Sequence, residues 1–204
     1  KESARVNTII NDFLAYSRMP AAVKSLFNAD EFLDRLVLQV EQHVSAKGGR
    51  VVVRGSVKPL DLLVAADQGQ LTQMGLNLAI NACEAMDYRG EVFMTMNLVS
   101  GGECYELVVT DNGPGIDPEI RDHLFSPFKT TKEGGTGLGL SSAARIASSH
   151  GGTVRAEDAP GGGAIFRVRW PREEAALPEQ VGDHSVLEEP PGTPLPKPEP
   201  IVID

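Results

Sequence analysis

Cysteine is scarce in this chain. Its 204 residues include two, Cys83 and Cys104. They form no C-x-x-C pair, which argues against a disulfide scaffold or a zinc knuckle. Both fall in apolar-periodic segments, so buried, reduced thiols are expected. No run of about 18 apolar residues occurs, so no segment is expected to span or touch a membrane. The opening residues do not read as a secretory leader, and none is expected. Lys1 stands where a starting Met would be, which reads as an excised piece, and the cytoplasm is the default compartment. The phosphate loop Gly-x4-Gly-Lys-Ser/Thr is missing, and the Gly-x-Gly-x-x-Gly dinucleotide spacing fails. None of His43, His123, His150 and His184 has metal-ligand spacing. A histidine-built metal centre is not expected. His150, before Gly151, reads as a helix C-terminal cap.

Excess positive charge is also missing. The formal net charge is −9. Residues 171–204 hold eight acidic residues against Arg172 and Lys197, which is six of the nine excess charges. The rest of the chain is nearly balanced, so no basic surface calls for nucleic acid. Eight of the fourteen prolines lie at or beyond Pro171. Such a proline-rich acidic stretch cannot bury enough surface to fold, and 171–200 is expected to be a linker.

Periodicity supplies the elements. Val6, Ile9, Ile10, Phe13 and Leu14 predict an amphipathic helix over 4–18, stopped by Pro20. A short strand follows over 24–29. Asp30 is expected to cap a helix through about Ala46, ended by Gly48-Gly49. Arg50–Gly55 and Leu62–Ala66 read as strands. Asp67 then opens a helix to about Asp87, with Asp67 and Gln70 at capping-box spacing. Glu91–Leu98 and Tyr105–Asp111 read as a strand pair. Asp117-Pro118 starts a short helix. Gly137–His150 reads as a helix, and Thr153–Glu157 with Ala164–Trp170 as a last pair. The expected class is α+β: a two-layer sandwich, a mixed sheet of about five strands with three helices on one face.

Four motifs carry chemistry. In Asn77-Leu-Ala-Ile-Asn81-Ala-Cys-Glu84-Ala-Met86, the residues Asn77, Asn81 and Glu84 share one helix face, with Leu71, Leu78 and Ala82 turned to the core. The Asn81 carbonyl oxygen could hold a hard cation. A plain solvated face would look the same. Asp111-Asn-Gly113-Pro-Gly115 ends a buried strand. Its carboxylate could accept from an adenine amine, and its glycines admit a flat ring closely. An ordinary turn also reads so. Gly134-Gly135-Thr136-Gly137-Leu138-Gly139-Leu140 leads into a helix, where free N–H groups and the dipole attract anions. A flexible loop is the other reading. Between them, Leu124-Phe-Ser-Pro-Phe128-Lys129-Thr130-Thr131-Lys132 joins two expected core aromatics, Phe125 and Phe128, to a basic stretch. The segment from Asp117 to Thr136 reads as a lid over phosphates.

In this order the motifs resemble the N, G1, F and G2 boxes of the sensor histidine kinase catalytic domain, within the superfamily of gyrase, Hsp90, histidine kinase and MutL ATPases. The wording is most similar to the nitrogen-regulation and oxygen-sensing kinases. The resemblance covers 24–170 and implies the Bergerat-type ATP-binding fold. It implies ATP and Mg²⁺ as cofactors. Asn81 would be the metal ligand, and Asn77 would act beside it at the phosphate end. Asp111 would accept from adenine, with Gly113, Gly115 and Ile116 around the base. Gly135, Thr136, Gly137, Leu138 and Gly139 would donate to phosphate, and Lys129, Thr130, Thr131 and Lys132 would close from the lid.

Two departures bear on mechanism. Glu84 stands where many members carry a cation. Asn77 stands where hydrolysing relatives carry a glutamate, and an amide is no general base. Transfer to a protein histidine is therefore expected rather than hydrolysis. Residues 1–20 are similar to the end of the dimerisation hairpin, without the acceptor histidine. The implied partners are the dimerisation and phosphoacceptor helices and a response regulator or fused receiver domain. Pro200-Ile-Val-Ile-Asp204 resembles a first receiver strand; a hybrid kinase and a plain tail both fit. A serine kinase of the anti-sigma-factor type and a nucleotide-sensing pseudokinase are the alternatives.

Overall fold

The computed structural model describes residues 19–132 and 135–172. The helix expected over 4–18, most of the 171–200 linker and the strand at 201–204 lie outside the described residues.

Strand β1 (Ser25–Asn28) runs straight into helix α1 (Ala29–Ala46). Asn28 caps that helix, accepting from the N–H groups of Asp30 at 2.8 Å and Glu31 at 3.1 Å. The sequence pointed to Asp30, but an N-cap needs an extended backbone, and Asn28 has it (φ −77°, ψ 128°). Asp30 sits in the first turn, where its charge suits the helix dipole. Strands β2 (Arg50–Lys58) and β3 (Leu63–Ala66) follow, then helix α2 (Gln68–Ala85). Strands β4 (Arg89–Val99) and β5 (Cys104–Asp111) form a hairpin. Helix α3 (Gly139–Ser149) and strands β6 (Thr153–Asp158) and β7 (Ala164–Pro171) complete the fold. The helix expected from Asp117 is a turn capped by Asp117, with one 3-10 turn at Arg121–His123.

The main sheet has five strands in the order β2-β4-β5-β7-β6, and β1 pairs with β3 in a separate ribbon. β2 and β4 are parallel, and all other pairs are antiparallel. A parallel neighbour requires a crossover, and α2 lies within it. The ribbon is tied back to the sheet where the Tyr105 hydroxyl donates to the Leu63 carbonyl at 3.1 Å. Strand alternation sorts the faces. Met94, Met96, Leu107, Val109, Phe166 and Val168 are buried in one core with Leu33, Leu36, Leu71, Leu78 and Ile146 from the helices. On the other face the buried Glu106 carboxylate is held by Arg169 and Arg167 of β7.

Helix α2 is held at its start by a junction that the sequence shows in part. Asp67 Oδ1 accepts from Gln70 N at 3.0 Å, as a cap should. The reciprocal half of the capping box is absent. Gln70 Nε2 donates instead to the Pro20 carbonyl, and Gln70 Oε1 accepts from Ser149 Oγ. The Asp67 N–H donates to His150 Nε2 at 3.1 Å. His150 is buried at the C-cap of α3 and contacts Ile146 O through Nδ1 at 2.9 Å. A ring protonated on Nδ1 satisfies both contacts, so this histidine is a strut between two helices.

Cys83 is buried and Cys104 half-buried, both as free thiols. Burial pushes the Cys83 thiol up to about 11. At neutral pH iodoacetamide is expected to label Cys104 first, with Cys83 modified only on denaturation, as peptide mass spectrometry would read.

At Asp67, desolvation raises the carboxyl, but N–H donors from Gln70, Val23 and Gly69 outweigh it and hold it below its ordinary value. Its contribution is therefore full above the usual carboxylate range and fades as pH falls through the lowered value. In urea titrations, the stability gap between wild type and Asp67→Asn should stay constant above about pH 5 and shrink in acid.

Candidate functional site

The polar side of α2 faces a cavity of about 730 Å³ bounded by β5, β7, the segment after β5 and the start of α3. Seven residues of α2 are buried, among them Leu71, Leu78 and Ala82. Pinning that face to the sheet leaves Asn77, Asn81 and Glu84 on the cavity wall. Gln73, one turn before, approaches Asn77 Oδ1 at 3.5 Å.

Asp111 closes the inner end. It is buried at 5% exposure, and its Oδ1 accepts from Gly113 N at 2.9 Å and Ala164 N at 3.1 Å. These two donors fix a carboxylate against the cavity among apolar neighbours, including Ala164 and Phe166 of β7. Two glycines make this possible. A Cβ on Gly163, which has φ +97°, would lie 1.9 Å from the Asp111 carbonyl oxygen. Gly115, at φ +88°, lets the chain turn away along the rim. Gly113 does not line the cavity; it acts on Asp111 from behind.

The segment after Gly115 is rooted at both ends. Asp158 of β6 takes the Ile116 N–H at 3.3 Å and the Arg121 guanidinium, whose hydrogen bond holds the Asp158 carboxyl below its ordinary range. At the far end the Phe128 N–H donates to the Gly137 carbonyl at 3.1 Å. A Cβ on Gly137, at φ +67°, would meet Phe128 backbone at 2.6 Å. Phe125 packs on the core as expected. Phe128 does not: it is 58% exposed, at φ +63°, because the close crossing with Gly137 turns its side chain outward.

Helix α3 begins at Gly139 and has no side-chain N-cap. The sequence placed its start at Gly137, but the positive φ there is not helical. Thr136, Gly137, Leu138 and Gly139 line the cavity, so the start of α3, which has no side-chain cap, opens onto it with the free N–H groups that a helix N-terminus carries. Leu138 N contacts Thr136 Oγ1 at 3.4 Å, a long bond.

Lys132 reaches across from the segment opposite. Its Nζ lies 2.7 Å from Asn81 Oδ1, 3.2 Å from Asn81 O and 2.9 Å from Glu84 Oε2. Asn81 thus belongs to an all-oxygen cluster that already holds a cation. This is the donor chemistry a magnesium ion takes. Lys129, Thr130, Thr131, Gly135 and Ile116 also line the cavity. Apart from Gly113, every candidate residue from the sequence lines this one cavity. The sequence missed Ala164 and Phe166, which arrive by strand pairing, and gave no site role to Glu84, whose place on the Asn81 stripe was the available signal. His43 also reaches the cavity wall, with Nε2 3.1 Å from the Tyr88 hydroxyl. Among the described residues, no group of three or more His, Cys, Asp or Glu could hold a metal ion.

A two-layer α/β sandwich with an asparagine-bearing helix, a buried strand-end aspartate and an uncapped glycine-rich helix start defines an ATPase-type nucleotide fold. The family described as histidine kinase-, DNA gyrase B-, and HSP90-like ATPase matches residues 66–174, and the chain belongs to it. It is similar to the sensor protein FixL of Bradyrhizobium diazoefficiens, 36% identical over 79% of this chain and 31% of that protein. Among solved structures it is similar to full-length ShkA in complex with AMPPNP (32% identity, TM-score 0.67, 83% of this chain and 36% of that one). It is also similar to the histidine kinase ThkA in complex with the response regulator protein TrrA (28% identity, TM-score 0.69, 84% and 48%). The chain spans about a third of the length of the sequence relatives it matches. Among the described residues, no helix is long and apolar enough to cross a membrane.

Gly163→Ala should cost about 1–3 kcal/mol from backbone strain. It should also loosen Asp111, seen as accelerated amide exchange at Gly113 and Ala164 but not at Leu78.

Proposed function

We propose that this chain is the ATP-binding catalytic domain of a two-component sensor histidine kinase, with a cytoplasmic site. It would present the γ-phosphate of ATP to a histidine carried on the dimerisation helices. The observation that carries this reading is the convergence of Asn81, Asp111 and the uncapped start of α3 on one cavity. They come from three separate stretches, and each suits a different part of one ligand.

The roles follow from chemistry. Asp111, already oriented by two backbone donors, offers its carboxylate to the amine of a purine, while Gly115 and Ile116 bound the ring. Asn81 supplies a neutral oxygen to magnesium, and Asn77 lies beside it at the phosphate end. Magnesium, when bound, neutralises phosphate charge. Gly135, Thr136, Gly137, Leu138 and Gly139 surround the phosphates with N–H donors at the positive end of α3. Lys129 and Lys132, with Thr130 and Thr131, close the open side. Phosphoryl transfer asks mainly for position and charge neutralisation, and this wall provides both. Asn77 is an amide and cannot activate water, which favours transfer to a protein over hydrolysis. The structure of ThkA with a response regulator supports such a partner here. We also propose the domain plan that goes with it: the end of a dimerisation hairpin at 1–20, the catalytic domain at 24–170, an acidic linker at 171–200, and at 201–204 either the first strand of a receiver domain or a plain tail.

Asp111→Asn keeps an oxygen for Gly113 and Ala164 but loses the charge. Calorimetry with Mg-ATP should show binding weaker by about 10- to 100-fold, the worth of one charged hydrogen bond. In a longer protein that includes the acceptor helix, Asn81→Ala should abolish acid-labile phosphohistidine. Acid-stable phosphoserine in the wild type would instead identify a serine kinase. Failure of the wild type to bind Mg-ATP would identify a pseudokinase.

A further inference from the structure

Glu84 is an odd residue to find beside a phosphate site, since a carboxylate there repels the ligand. Its surroundings explain it. The Glu84 side chain is 41% exposed, and its Oε2 lies 2.9 Å from Lys132 Nζ. The same ammonium takes Asn81 Oδ1 and the Asn81 carbonyl oxygen. Below it, the Lys132 N–H donates to Thr130 Oγ1 at 3.1 Å, and the Lys132 carbonyl accepts from Gly135 N at 3.2 Å, which fix the backbone around this lysine. Glu84 lies one turn beyond Asn81 and adds a charge-assisted bond to a lysine that two neutral oxygens would hold weakly.

Asn81 Oδ1 cannot serve this ammonium and a magnesium ion together. The amide oxygen has two lone pairs, but two cations so close on one oxygen repel strongly. We propose that Glu84 is a positioning residue: it parks Lys132 on Asn81, and a nucleotide arriving with its metal takes Asn81 and draws Lys132 onto phosphate. This rests on the nucleotide reading above and adds an order of events to it. A free divalent ion would have to displace Lys132 from Asn81 while Glu84 still holds it there, with no further anion to draw it away. A metal–nucleotide chelate supplies that anion in the same step. The pair therefore selects the metal as a chelate, and it fastens the lid to α2 before the ligand arrives.

The test is a double-mutant cycle on the full 204-residue chain, with Mg-ADP binding read by calorimetry. E84A should tighten Mg-ADP by about two- to fivefold, the size of a half-exposed ion pair that binding must break. K132M should weaken it, and E84A should change nothing further in the K132M background. Equal tightening in both backgrounds would mean that Glu84 only repels phosphate, and the proposal would fall. Weaker binding in E84A would mean that the pair persists in the complex, and no change in either background would mean that no latch exists; each also overturns it. A second readout needs no nucleotide. Hydrogen exchange over residues 127–132 should be faster in E84A and intermediate in E84Q, with β5 unchanged. Identical exchange in E84A and wild type refutes the parking. A wild type that binds no Mg-ADP refutes the nucleotide reading instead, and the exchange experiment still decides the latch.

Discussion

Helix α2 must satisfy two opposed demands, and the site exists because it does. One face carries Leu71, Met74, Leu78, Ala79 and Ala82 into the core. The hydrophobic effect gives those side chains no alternative, since fully burying each large one stabilises the fold by about 1.5–3 kcal/mol. With that face fixed, the 3.6-residue period decides where Asn77, Asn81 and Glu84 must point. The site thus draws its rigidity from the core. A polar stripe on a loosely packed helix could not hold an amide oxygen at a set distance from a strand-end carboxylate.

That carboxylate is the second fixed point. Asp111 ends β5 and would be costly to bury without donors. It obtains them from Gly113, two residues on, and from Ala164, brought alongside by β7. The close approach of Gly163 to the Asp111 backbone is part of the same device. Opposite these rigid parts stands a segment with little regular structure of its own. It is tied at one end to Asp158, at the other to the Phe128–Gly137 crossing, and across the cavity by Lys132. The architecture pairs a fixed wall with a hinged one, the arrangement expected of a site that closes on its ligand.

Much of this was legible beforehand, and the parts that were not share a cause. Helix and strand positions came through because periodicity is a local record of which side faces the core. Errors fell at ends and caps, where two neighbouring residues offer the same chemistry. Asn28 and Asp30 can both cap; only the backbone angle at Asn28 decides between them. Asp67 and Gln70 have capping-box spacing, yet Gln70 is drawn away by Pro20 and Ser149, from elements far along the chain. Phe128 looks like a core aromatic until the Gly137 crossing turns it out.

The sequence by itself determined the chemical vocabulary of the site: amides on a helix, a carboxylate at a strand end, glycines leading into a helix. Those are properties of residue type and short spacing, which travel with the chain. Only the tertiary structure decided which of them meet. The β5–β7 pairing brought Ala164 and Phe166 to the base end, and β6 brought Asp158 to the lid. The crossing of 48 residues between Glu84 and Lys132 set a cation on Asn81. Contacts of that reach leave no periodic trace, because they are fixed by the packing of whole elements.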